Sequence, residues 1–240
     1  MTDIRLVNVF THNGAGGNPC PIVVDAVSLS EADMQGIATK YGHESGFVLP
    51  ATSGDADYIF RFWVPRHEME MCGHATIGAL WTLATTGQLQ SGQIRIETRS
   101  GPVTGFVDVQ HSGDPYVEIT LPVGKVVDLT RDQESFVLAA LRITRNDLLD
   151  LPLQNAVTSR VKTLIPIKSV DRLNDLHTSM PTTEKCCESI GSTGLYPYAV
   201  DSQADRRFEA RQFPKSSGYP EDAATGIAAA ALAFGLLKSG

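Results

Sequence analysis

Basic residues are in the minority. The chain of 240 residues carries 20 Lys and Arg against 27 Asp and Glu, a formal charge of −7 with a pI near 5.3. That balance speaks against a nucleic-acid surface or an anionic membrane as the main partner. Cysteine is scarce. Cys20, Cys72, Cys186 and Cys187 form no C-x-x-C pair, and they are too few and too poorly spaced for a disulfide framework. Disulfide geometry also keeps adjacent Cys186 and Cys187 from bridging easily, so four reduced thiols are expected. Cys72 with His74 offers two metal ligands and no obvious third, so no metal is expected. No apolar run is long enough to span a bilayer. The opening Met-Thr-Asp-Ile-Arg-Leu lacks the basic-then-apolar order of a signal peptide. The expectation is a cytoplasmic protein with no nucleic-acid and no membrane partner. Charge blocks and low-complexity tails are missing too. The loop Asn13–Pro19, NGAGGNP, lacks the strand-to-helix context of a dinucleotide-binding turn, so it reads as a loop near a cleft.

What is present is an ordinary globular composition, 42% hydrophobic and 20% charged, on a chain long enough for one large or two small domains. Alternating apolar positions predict strands at Ile4–Phe10, Pro21–Asp25, Ser45–Leu49 and Asp57–Val64, then near Gln93–Thr98, Val103–Val109 and Tyr116–Leu121. Ser30 predicts the cap of a helix through about Tyr41, stopped by Gly42. The second half reads as a helix at Arg131–Leu141, a strand at Val161–Ile167 and helical pieces at Val170–Leu176 and Thr183–Ile190. Strands are expected at Leu195–Val200 and Arg207–Phe213. The softest boundary lies near Pro122–Asp132, giving expected domains 1–122 and 123–240.

Two stretches are built on one plan. In RFWVPRHEMEMCGHATIGAL a strand, Pro65 and Cys72 lead into a helix of small residues, about 74–86. In ARQFPKSSGYPEDAATGIAAAAL a strand, Pro214 and Asp222 lead into another, about 225–238. Both helices are apolar on almost every face, which predicts burial all round, each inside its own curled sheet. Halves on one plan usually face each other across a pseudo-two-fold, which would set both helix starts on one cleft. A helix start gathers unsatisfied N–H groups and the positive end of the dipole, a natural site for a carboxylate. Proton-handling groups, Cys72 and His74 at one start and Asp222 at the other, suit proton transfer beside that carboxylate.

The motifs GNP at Gly17–Pro19, HESGFV at His43–Val48, RFWVPRHEMEMCGHATIGA at Arg61–Ala79 and EDAATGIA at Glu221–Ala228 resemble the PhzF-type phenazine-biosynthesis isomerases. More distantly they resemble diaminopimelate epimerase and proline racemase. The resemblance implies an α+β, diaminopimelate epimerase-like fold of two pseudo-symmetric domains, and a cofactor-independent isomerase. Carried over by motif, Glu44 is the principal acid/base, with His74 and Asp222 as catalytic partners. Substrate binding falls to Asn18, Cys72 and the N–H groups of Gly73, His74, Gly226 and Ile227. Cys72 stands where the epimerases keep one of two thiols, and Asp222 replaces the second. At position 227 the stricter relatives carry a hydroxyl, so Ile227 loses a side-chain bond to substrate.

The family continues past its second central helix with further strands, so the second domain is expected to be incomplete at its C-terminus. A homodimer or a second polypeptide would complete it. Two other readings stand beside the isomerase: an amino-acid racemase or epimerase working through Cys72, and a catalytically silent binding protein of the same fold.

Overall fold

A computed structural model describes residues 2–52, 54–109, 114–121, 123–201, 207–216, 218–222 and 224–239. The chain divides into two compact units, Met1–Leu121 and Pro122–Gly240. The boundary residue Pro122 itself lies outside the described residues.

The first unit opens with strands β1 (Arg5–Val9) and β2 (Asn18–Val23). Helix α1 (Glu31–Tyr41) follows, with a Ser30/Asp33 capping box at its start and left-handed Gly42 at its end. That helix is the crossover parallel strands require. It returns the chain as β3 (Ser45–Pro50), which pairs parallel to β2 with Ile22 opposite Gly46. Strand β4 (Tyr58–Val64) pairs antiparallel to β3, and β5 (His67–Met69) makes a tight hairpin on β4. Helix α2 (Gly73–Thr85) comes next, then β6 (Gly92–Thr98), β7 (Gly101–Asp108) and β8 (Tyr116–Ile119). The strand order is β1-β2-β3-β4-β6-β7-β8. Strands from both ends of that order, β1 and β8, pack on α2. The sheet therefore curls around the helix. Ala75, Ala79, Leu80 and Leu83 are all within 1% of complete burial, as the all-round apolar sequence requires.

The second unit begins with β9 (Lys125–Asp128) and α3 (Arg131–Leu141), the latter capped by a Thr130/Gln133 box. Strands β10 (Gln154–Val157) and β11 (Val161–Pro166) form a hairpin. Helices α4 (Val170–Asn174) and α5 (Met180–Ile190) lead to β12 (Gly194–Val200), parallel to β11. Short β13 (Phe208–Ala210) and β14 (Phe213–Pro214) both pair with β12, and α6 (Gly226–Ser239) closes the unit. The strand order is β13-β12-β11-β10-β9.

Here the expectation of all-round burial fails. Helix α6 packs on β9, β10 and β11, one end of the sheet order. Ala228, Ala231 and Leu232 join a core with Leu164, Tyr196 and Tyr198. Ala229, Ala233 and Leu237, one stripe at four-residue spacing, lie exposed, Leu237 at 80%. A sheet that reaches its helix from one side leaves the other side in water.

Three strands, β5, β9 and β10, escape the periodicity reading. Each is three or four residues long, and QNAV and KVVD carry little apolar alternation. Strand β2 starts at Asn18, not Pro21; its two prolines disguise it. The single strand expected at Arg207–Phe213 is broken into β13 and β14. Between them the Arg211 guanidinium donates to the carbonyls of Leu173, Asn174 and Leu176.

Candidate active site

The parallel register of β2 and β3 brings Cys20 beside Glu44. The Cys20 thiol donates to the Glu44 main-chain carbonyl at 3.0 Å. Cys20 is fully buried, and that burial pushes its thiol up to about 11, against a smaller opposing pull from His74. It is a fixed, protonated donor at neutral pH. Asn18, Cys20 and Ile22 alternate onto one face of β2, and Ile22 reaches toward Gly78 of α2. Glu44 therefore enters the site with its backbone held and its side chain directed at the start of α2.

The start of α2 is set from the other side. Arg61 of β4 donates twice to Glu68 of β5, at 2.6 and 2.8 Å, and also to Glu31. Burial works against the Glu68 carboxylate, but Arg61 and Arg99 outweigh it and hold its pKa below the usual range. This clamp closes the β4–β5 hairpin. Buried Met69 and Met71 then seat the chain, and Cys72 takes the N-cap position in an extended conformation. Its side chain makes no capping hydrogen bond. The first turn, Gly73–His74–Ala75, thus begins without the side-chain acceptor that usually satisfies a helix start.

Three side chains meet here. His74 Nε2 lies 3.3 Å from Glu44 Oε2. Cys72 Sγ lies 3.9 Å from the same carboxylate oxygen and 3.5 Å from His74 Nδ1. The His74 side chain is 10% exposed and that of Glu44 is 26% exposed. A carboxylate that touches both solvent and an imidazole can take up a proton on one side and pass it on at the other.

The residues carried over to the second unit assemble separately. Helix α6 begins at Gly226, so Thr225 directly precedes the first turn and Asp222 lies three residues further upstream. The Thr225 hydroxyl donates to Asp222 Oδ2. The backbone of Asp222 bridges to Gln212, whose amide is 2% exposed and has no hydrogen-bond partner among the described residues. Burial, with the charge of Asp222 added, raises the nearby Tyr196 phenol to about 12. Arg211 holds Glu221 through two bonds of 2.8 and 2.7 Å, just before Asp222. Gly226 and Ile227 are half-buried in the first turn.

Cys20, the Arg61–Glu68 clamp and Gln212 escape the sequence reading. An arginine some seven to ten residues ahead of a glutamate, in the approach to each helix, is the signal that could have revealed the clamps.

A sheet curled on a central helix, a carboxylate, thiol and imidazole meeting at that helix's start, and a second unit of related plan define an α+β protein of the diaminopimelate epimerase-like class. Residues 7–239 match the family model of phenazine biosynthesis-like proteins, PhzC-PhzF, and the chain belongs to that family. It is 31% identical over 229 residues to an uncharacterized isomerase of Clostridium acetobutylicum, covering 92% of this chain and 74% of that one. It is 28% identical over 242 residues to the trans-2,3-dihydro-3-hydroxyanthranilate isomerase of Pseudomonas fluorescens, covering 100% of this chain and 81% of that one. The Bacillus anthracis phenazine biosynthesis protein of the PhzF family superposes with a TM-score of 0.85 at 26% identity, over 97% of this chain and 78% of that one.

Proposed function

We propose that the protein is a cofactor-independent isomerase that shifts a proton along a small, unsaturated, carboxylate-bearing substrate. The observation that carries this reading is the 3.3 Å contact between Glu44 and His74 at a helix start with no side-chain cap. In the reaction Glu44 removes a proton from a carbon activated by its neighbouring unsaturation. The C–H electron pair shifts the double bond, and the proton returns at the far end of the shifted system. Nothing is oxidised or reduced. His74 shares the proton while it is off the substrate. The N–H groups and dipole at the start of α2 anchor the substrate carboxylate.

The name of the Pseudomonas fluorescens relative supports the substrate class, since its substrate is a cyclic, unsaturated carboxylate. The free cysteines and the lack of a helix long and apolar enough to cross a membrane, among the described residues, support a place in the cytoplasm.

The test is deuterium incorporation from heavy water into a dihydroanthranilate-type substrate. Glu44→Gln is expected to lower it by about 10²- to 10⁴-fold, the usual weight of a general acid/base. Unchanged incorporation removes Glu44 from the mechanism. A racemase or epimerase reading is favoured by one distance, the 3.9 Å between Cys72 Sγ and the Glu44 carboxylate, which makes the thiol a second proton carrier. Cys72→Ser decides between them: racemisation of an α-carbon requires the thiol, whereas the Glu44 isomerisation survives its loss.

A further inference from the structure

We infer that the Glu44–Cys72–His74 trio is a zinc site, and that zinc binding there switches the enzyme off. Sequence spacing offered two ligands, and the fold supplies the third from the turn before β3. One oxygen, one sulfur and one imidazole nitrogen lie within 4.8 Å of one another. The edges of the triangle are 3.3 Å from Nε2 to Oε2, 3.8 Å from Sγ to Nε2 and 3.9 Å from Sγ to Oε2. A tetrahedral zinc with Zn–S near 2.3 Å and Zn–N or Zn–O near 2.0–2.2 Å requires edges of about 3.3–3.6 Å. The shortest edge already fits. The two sulfur edges close with a few tenths of an ångström of side-chain adjustment, most of it available at Glu44, whose side chain is 26% exposed. The donor set of one thiolate, one imidazole and one carboxylate suits zinc, a borderline-soft ion, better than magnesium or calcium, which prefer all-oxygen sites.

The surroundings suit the ion as well. Cys72 and His74 come from the N-cap and second residue of one rigid, buried helix, so two ligands are held at fixed spacing before any metal arrives. Glu44 is the partly exposed member and forms the open side by which an ion enters. Binding is a simple exchange. The Cys72 S–H bond breaks, an S–Zn bond forms, and the proton leaves to the buffer. The fourth position stays with water.

The binding claim rests on this geometry alone; the inhibition claim rests on the proposed function, because zinc occupies the lone pairs that Glu44 and His74 need for the proton. The site is therefore regulatory and supplies no part of the reaction.

Cobalt(II), a spectroscopic stand-in for zinc, tests the site on the full chain without any substrate. One equivalent is expected to produce a thiolate-to-cobalt charge-transfer band and tetrahedral d–d absorption, and zinc to bleach both. Calorimetry with zinc in two buffers of different ionisation enthalpy should show one site and proton release. Cys72→Ser is expected to abolish the charge-transfer band. Glu44→Gln should keep that band but weaken zinc binding by at least about tenfold. Cys186→Ser, in the other unit, should change nothing. No band, or a band that survives Cys72→Ser, overturns the site. Zinc that binds through the trio yet leaves isomerisation untouched overturns the inhibition and the catalytic role of Glu44 together. Zinc that fails to bind while Glu44→Gln still abolishes deuterium incorporation overturns the metal site alone.

Discussion

Glu44 is held from two directions, and the two holds differ in kind. Its backbone is fixed by a thiol that burial keeps protonated. Its side chain is met by His74 and Cys72. If Glu44 is the acid/base proposed above, buried Cys20 serves it as a positioning residue through the Glu44 carbonyl. Cys20→Ala removes the donor to the part-buried Glu44 carbonyl, a loss of about 0.5–1.5 kcal/mol in stability for that bond. It should also lower kcat with little change in KM, and Cys20→Ser, which keeps a donor, should restore most of it. Equal stability loss with unaltered kcat would make Cys20 a packing residue only. Cys72 and His74 were legible in the sequence as reactive types at a helix start, and Glu44 through the family motif before β3. Their meeting was not, because it depends on β2 and β3 pairing parallel with Ile22 opposite Gly46. No local pattern encodes that register. Cys20 escaped for the same reason, since a cysteine in a Gly/Asn/Pro-rich stretch gives no hint of the carbonyl it will serve.

At the scale of elements, the two central helices have nearly the same composition and different surroundings. Leu83 of α2 is fully buried, whereas Leu237 of α6 is 80% exposed. Leu83→Ala should cost about 2–5 kcal/mol, the range for a fully enclosed leucine. Leu237→Ala should fall within about 0.5 kcal/mol of the parent. Chemical denaturation of the two variants checks both, and similar losses would mean that α6 is enclosed in solution. Sequence patterning gave α1, α2, α3 and α6 to within about two residues, because capping residues and apolar periodicity are local properties. The extent of burial was not local. It depends on how many strands reach a helix, and around α6 they leave the Ala229–Ala233–Leu237 stripe uncovered.

At the scale of the whole molecule, the protonation of the buried thiols Cys20, Cys186 and Cys187 is tied to folding. Burial raises Cys20 and Cys186 to about 11 and Cys187 to about 12, from 9.0. Each folded-state value lies above the unfolded one, so the native state binds the proton more tightly. The stabilisation is complete below pH 9 and is lost as pH climbs from 9 toward 11 and 12. Within that window each thiol lowers stability by at most about 1.4 kcal/mol per pH unit. Urea titrations at pH 8 and pH 10.5 should show a marked fall in midpoint. The Cys186→Ala/Cys187→Ala variant should show a shallower one, relative to its own value at pH 8. A midpoint equally pH-dependent in both proteins would assign the alkaline transition to other groups, such as Tyr196 and Tyr198, which burial also raises to about 12.

The parallel pairing of β2 with β3 also has a consequence in time. Hairpins such as β6–β7 join neighbours in the chain and can zip within microseconds. The pairing that sets Cys20 beside Glu44 must wait for α1 to form and for the crossover to close, and the trio must further wait for α2 to dock from thirty residues downstream of Glu44. During refolding the sheet and helices should therefore regain their circular dichroism before the three side chains meet. The reactive centre is then one of the last parts of the first unit to exist.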